Sequence, residues 1–476
     1  MRAYALSWAR GWVRPMAMRT LLLAALVAQT ASALRAAPPC SGPVPCTTRR
    51  GRGGTASPQM LLDALTANDE AEFKKSPAEF CRSRVPKQGL ALRTTAFGGA
   101  VLSGDDATLA LVVGEGAELE EPAALLGEPF ASTSETYDTI CDSFNRACYD
   151  ELFEWIPKFK EQGGFSTFRF DDFLDSRVRA VRPSVRRLML RATMPLTLGL
   201  SWDDAVKLVE SEALASVGVK KIGDLVGLYD SFARGQAAGL GGQLSRLAGG
   251  GNEAKLQAAF AALAGGGDGA ALLRGVFSSV EQTTALVCNL LGQTAAHEEW
   301  ERAIAAEQTA ALDGWGPQEP IGSAQLAKMP KLRAFTQETL RLLPPARPSR
   351  LRLRKPLGDL APGTLVQPEP CIAHLRADTY TQPGRFDPTR FEDGAQPPPR
   401  LGFAGPAQGG EGAELATALA QATFVQMRRM FELRLGKDPP FESSGFPLSS
   451  IPEGCQVLAE ARMYYELKRE NKKLRF

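Results

Sequence analysis

The sequence predicts a mostly helical α+β protein, and three observations predict it. Long stretches with helical hydrophobic spacing run between residues 134 and 343 and again over 412–435. One segment, 90–113, instead alternates apolar with small polar residues around glycine turns. Between the helical blocks, 344–410 is filled with proline and turn residues. With 476 residues, 44% of them hydrophobic and 23% charged, the chain can bury a sizeable core and has the composition of a soluble globular protein. A net charge of +2 is too small to point to nucleic acid.

The elements follow in order. Leu61, Leu62 and Leu65 suggest a helix within 60–80. Over 90–113, Gly98-Gly99 and Gly104-Asp105 supply turns for a small antiparallel sheet. Helices are expected over Thr136–Gln162, Phe170–Leu198 and Trp202–Ser231. Residues 235–269 are rich in Gly and Ala, and the triplets at 249–251 and 265–267 divide them into two short helices of a connector. Ala271–Ala310 reads as one long helical stretch, and Met329–Leu343 as a helix stopped by Pro344-Pro345. Gly412–Leu435 is the last long helix.

Eight cysteines are scattered without a CxxC pair, so neither a zinc signature nor a dense disulfide framework is present. Two histidines, His297 and His374, exclude a His-rich metal site.

The most specific pattern is Glu338-Thr339-Leu340-Arg341 followed by Leu342-Leu343-Pro344-Pro345. Residues i and i+3 share a helix face, so Glu338 and Arg341 can pair. Further on stand Leu360-Ala361-Pro362-Gly363-Thr364, His374, and Pro383-Gly384-Arg385-Phe386-Asp387-Pro388-Thr389-Arg390-Phe391. Together these resemble the ExxR helix, the glycine turn and the PERF segment of the cytochrome P450 family. The spacing from Glu281 to His297 resembles that of the family's distal helix and its exit. The resemblance spans roughly 85–465 and is tight over 275–420.

What the resemblance implies is a cytochrome P450-like fold of long helices with small antiparallel sheets. It implies a heme cofactor and a monooxygenase (an oxidoreductase) acting on an apolar small molecule, with ferredoxin or a reductase as redox partner. Hydroperoxide rearrangement is a further activity within its range. Glu338, Arg341 and Arg385 would form the buried triad. Glu281 would be the distal acid, with Gln282 at the threonine position and Thr283 one place later. Phe403 would open the heme loop, and Arg350 or Arg352 would meet the heme propionates.

The family's loop reads F-G-x-G-x-R-x-C, and this chain departs from it. Phe403, Gly412, Leu415 and Ala416 fall in register, but Gln408 stands at the arginine and Gly410 at the cysteine. No cysteine lies between Cys371 and Cys455. The family's axial thiolate pushes electron density onto the iron and favours O–O cleavage; a glycine ligates nothing. Glu135 and Asp138 also stand where the family places basic propionate partners. The alternative expectation is a protein that keeps the scaffold without catalysis and binds a lipid-like ligand or a protein partner. The run Arg347, Arg350, Arg352, Arg354, Lys355 fits the solvated face of a strand, or a docking face for an acidic electron carrier.

The N-terminus reads as an address. Arg10, Arg14 and Arg19 precede the apolar run Leu21–Val27, and Ala31-Ser32-Ala33 has signal-peptidase spacing. Residues 1–59 carry eight arginines and no acid. The segment resembles the bipartite leader of algae with secondary plastids, leaving 60–476 as the folded domain. The alternative is an endoplasmic-reticulum membrane anchor followed by a hinge at Pro38-Pro39 and Pro43-Val44-Pro45. The apolar run falls short of the roughly 20 residues a span requires.

Overall fold

One helix is buried along most of its length, and the others pack around it. In a computed structural model of the chain, the described residues are chiefly 135–155, 178–198, 212–237, 252–263, 265–316, 318–346, 350–358, 360–394, 411–435 and 450–462, with short pieces at 91–94, 99–102 and 117–119. The expected leader, the expected helix within 60–80 and Gly410 lie outside them.

In chain order the elements are β1 (Ala91–Thr94), β2 (Gly99–Leu102), β3 (Ala117–Leu119), α1 (Tyr137–Phe153), β4 (Val178–Ala180), α2 (Val181–Leu198), α3 (Glu212–Ala215) and α4 (Ile222–Ala237). After a helical stretch over 252–263 come α5 (Gly269–Ala296), α6 (Glu298–Ala311), α7 (Ser323–Ala327) and α8 (Pro330–Leu342). The chain continues with β5 (Leu351–Leu353), β6 (Leu365–Pro368), α9 (Pro370–His374), a 3-10 segment (Pro388–Gly394), α10 (Glu411–Met430), β7 (Phe431–Leu435) and β8 (Gln456–Ala461).

α5 is the axis. Every residue from Val276 to Gly292 is buried, as expected of a helix enclosed on all sides. Asp268 caps its start by accepting from the backbone N–H groups of Ala270 and Ala271, each at 3.0 Å. Gly269 lets the 252–263 helix approach closely, because a Cβ there would lie 2.1 Å from the Gln257 carbonyl oxygen. The main hydrophobic cluster joins α5 to α1, α2, α4, α8 and α10. Asn289 donates to the Leu343 carbonyl at 3.1 Å and so fixes α5 against the end of α8.

Two small sheets flank the helices, with strand orders β1-β2-β6-β5-β3 and β4-β8-β7. All pairs are antiparallel except β2 with β6, which is parallel. These strands are separated by most of the helical body, so no hairpin constrains their direction.

Several expected helices end earlier than their hydrophobic spacing suggested. Residues 178–180, expected to be helical, form β4 against β8, and 431–435 leave the last helix to form β7 against the same strand. The stretch over 202–231 is broken at Gly218, whose φ of +83° suits glycine and closes α3 with a bond from the Val219 N–H to the Leu214 carbonyl. α5 and α6 are separate helices with the break at His297 (φ −130°, ψ 79°).

Candidate functional site

Two groups of buried charge answer to the residues singled out from the sequence. The first is built on α8. Both Glu338 and Arg341 are 0% exposed, and their side chains meet in a bidentate pair, each N–O distance being 2.7 Å. Arg341 also donates to the carbonyls of His374 (2.6 Å), Pro383 (2.7 Å) and Arg385 (3.2 Å), and its guanidinium lies 4.8 Å from the centroid of the Tyr380 ring. Its own carbonyl accepts from the ring Nδ1 of buried His374 at 3.0 Å. One arginine thus stitches α8, α9 and the 383–387 segment together.

The third member differs from the expectation. Arg385 is exposed and contributes its backbone carbonyl, not its side chain. The second guanidinium on Glu338 belongs to Arg390, whose Nε lies 3.6 Å from Glu338 Oε1 and whose side chain is 7% exposed. The sequence offers two Arg-Phe pairs, at 385–386 and 390–391. The 3-10 segment, begun at Pro388, brings the second of them back over α8. The Asp387 N–H donates to Glu338 at 2.8 Å, fixing where that segment starts. The two phenylalanines divide accordingly. Phe391 packs with Ala334 and Tyr380 beneath the cluster, while Phe386 stacks on His297 (4.4 Å between centroids) at the α5–α6 junction.

The second group surrounds Glu281 at the middle of α5. Glu281 is 1% exposed and accepts from Arg186 Nε at 2.7 Å and from the Tyr229 hydroxyl at 3.3 Å; Arg182 lies 3.6 Å away. Arg186, also 1% exposed, pairs further with Asp230 (3.0 Å) and with Glu453, which Arg182 reaches at 3.3 Å. Burial works against the charge of Arg186, but Glu281 and Glu453 outweigh it and hold the guanidinium well above its ordinary value. Burial, and after it the Glu281 charge, keeps the Tyr229 phenol protonated. The acid expected on the distal side is therefore engaged with α2, α4 and the 450–462 segment. Sequence reasoning did not single out Arg182, Arg186, Tyr229 or Glu453, since each is remote from Glu281 along the chain.

The neighbouring positions are buried but face inward on their own helix. Gln282 donates to the Ser278 carbonyl at 3.0 Å, and the Thr283 hydroxyl to that of Ser279 at 2.7 Å. Thr284, 0% exposed, has a hydroxyl without a hydrogen-bond partner.

Of the residues expected at the cofactor, Phe403, Arg350 and Arg352 are described and Gly410 is not. Phe403 is 5% exposed in the main core, next to Gly402, whose Cα faces Leu340 of α8. Arg352 is on the outward face of β5, between buried Leu351 and Leu353, and donates to the Gly363 carbonyl at 2.9 Å; Arg350 is half-buried. Glu135 and Asp138 are exposed around the start of α1. Among the described residues no group of three or more His, Cys, Asp or Glu could hold a metal ion, and no helix is long and apolar enough to cross a membrane.

A buried ExxR helix locked to an Arg-Phe segment, beside a long enclosed helix and two small sheets, is the arrangement expected of a cytochrome P450-like fold. The comparisons agree. Residues 270–457 match the family model for cytochrome P450. The cytochrome P450 monooxygenase dtpC of Aspergillus flavus is 34% identical over 120 residues, which make up 23% of this chain and 66% of that protein, just under two thirds of its length. The retinoic acid-bound cyanobacterial CYP120A1 has the same fold, with a TM-score of 0.56 at 17% identity over 83% of this chain and 96% of that one. Residues 270–457 thus match the cytochrome P450 family, and the described fold is that of a cytochrome P450.

The family's cofactor is heme. Among the described cysteines, the two fully buried thiols, Cys148 and Cys288, are poor candidates for its thiolate ligand. No cysteine lies between Cys371 and Cys455. Burial pushes the Cys288 thiol up to about 12 and raises that of Cys148 further, so both stay protonated. Cys288 lies near Arg182, Arg186 and Ser450, with the Glu281 group.

Proposed function

We propose that this chain is a heme-monooxygenase-type cytochrome P450 protein that has lost thiolate-dependent oxygen activation and keeps its scaffold to bind an apolar small molecule. One contrast carries the reading: the Glu338–Arg341–Arg390 cluster is complete, while the sequence has Gly410 where the family has its cysteine. Glu281 supports it, because an acid held by Arg186 and Tyr229 is poorly placed to pass protons. The family match favours a second reading, an active oxidoreductase served by ferredoxin or a reductase.

An absorption spectrum of the purified protein, reduced and exposed to carbon monoxide, separates the two. The proposal expects no thiolate-type Soret band from the natural chain, and recovery of heme in a Gly410→Cys, Gln408→Arg variant. A stoichiometric thiolate-type heme in the natural chain would refute it. We also propose that residues 1–59 direct the protein to a plastid and are removed there; mass spectrometry finding Met1 on the mature protein would refute this.

A further inference from the structure

A cleft of about 520 Å³ opens among the C-terminal ends of α6 and α10, Tyr149 of α1 and the end of β8. It is within the usual range for small-molecule sites. Its charged lining is one-sided: three guanidiniums (Arg428, Arg429 and Arg462) against one carboxylate, the exposed Asp313. Tyr149 and Trp315 contribute aromatic surface, and Trp315 is among the few large hydrophobic side chains left exposed, at 38%.

The three arginines are not equivalent. Arg429 is engaged in structure, since it donates to the carbonyls of Trp315, Gly316 and Glu319 and to Gln426, and so clamps the 315–319 turn to α10. Arg428 has capacity left. Its side chain is 8% exposed, it donates to Glu301 at 3.3 Å, and its Nε–H is buried with no hydrogen-bond partner. Arg462, exposed at the end of β8, uses its Nε on the Phe431 carbonyl at 3.3 Å. A guanidinium has five N–H donors, so both retain donors for a ligand.

We infer that this cleft binds a small organic anion, a carboxylate or phosphate on a flat apolar body, with Arg428 and Arg462 on the anion and Trp315 and Tyr149 against the body. A buried guanidinium with an unmatched N–H is costly unless something completes it. Burial, and the like charge of Arg462, already depress Arg428 despite Glu301. An anion between Arg428 and Arg462 would offset both the desolvation of Arg428 and the repulsion between the two guanidiniums. The cleft shares no lining residue with the Glu338 cluster.

The test uses the full chain and three probes in titration calorimetry: phenyl phosphate, inorganic phosphate and uncharged benzyl alcohol. Phenyl phosphate is expected to bind saturably, one per chain, at least tenfold more tightly than either other probe. Arg462→Gln, at an exposed position, should weaken it about tenfold while leaving the melting temperature of the unliganded protein unchanged. Trp315→Ala should weaken phenyl phosphate but not inorganic phosphate. The absence of saturable binding, or an affinity moved by neither substitution, overturns the inference.

Discussion

Replacing Glu338 by Ala removes the carboxylate that Arg341 and Arg390 share. Arg341 would keep its three carbonyl acceptors but lose both of its 2.7 Å contacts to the acid. Arg390 would keep only its bond to the Gln382 carbonyl, 3.2 Å, among its described contacts, and the Asp387 N–H would lose its acceptor. Breaking a buried pair by removing one partner costs about 3–5 kcal/mol, because the remaining charge is uncompensated. At roughly 2 °C per kcal/mol for a large domain, that lowers the melting temperature by about 6–10 °C. Arg390→Ala should cost less, about 1–3 kcal/mol, since Glu338 stays paired to Arg341. Arg385→Ala should fall within about 0.5 kcal/mol, as an exposed side chain whose backbone carbonyl survives the change. Differential scanning calorimetry of the three variants orders them. An Arg385→Ala loss equal to that of Arg390→Ala would refute the assignment, and an unchanged Glu338→Ala protein would refute the energetic argument itself.

Other outcomes follow from the same geometry. Glu281→Gln should destabilise the protein by about 1–3 kcal/mol, less than Glu338→Ala, because Arg186 keeps Asp230 and Glu453; urea denaturation checks it, and an unchanged midpoint would show that the ion group is idle. The Cys288 thiol is held at about 12 in the folded state, against an ordinary value of 9.0. Above pH 9 the unfolded chain releases a proton that the folded one retains, so stability falls as pH rises toward 12. Cys288→Ala should flatten that alkaline slope in urea midpoints measured from pH 8 to 10.5, and a slope left intact would contradict it.

Much of the site was legible because its spacing is local. Glu338 and Arg341 are three residues apart on one helix, and that period alone places them on one face. The helical spacing over Ala271–Ala310 likewise marked a long helix, whose burial only the structure shows. The third arginine was not legible, because Arg385-Phe386 and Arg390-Phe391 look alike in one dimension. Only the turn from Pro388 decides which of them returns to α8. The partners of Glu281 were hidden for a related reason, since Arg186 and Glu453 come from opposite directions along the chain.

The sequence by itself determined the helical class and the ExxR pair. These depend on residue identity and on periods of a few residues, which the backbone enforces without reference to the rest of the chain. Tertiary structure decided which segments at helix ends become strands. Residues 178–180 and 431–435 carry helix-compatible spacing, but β8 lies between them and offers the ladder that each lacks alone. It also decided that Glu281 is the anchor of an ion group. A buried carboxylate takes its role from whichever guanidiniums the packing brings within reach, and no local pattern encodes that meeting.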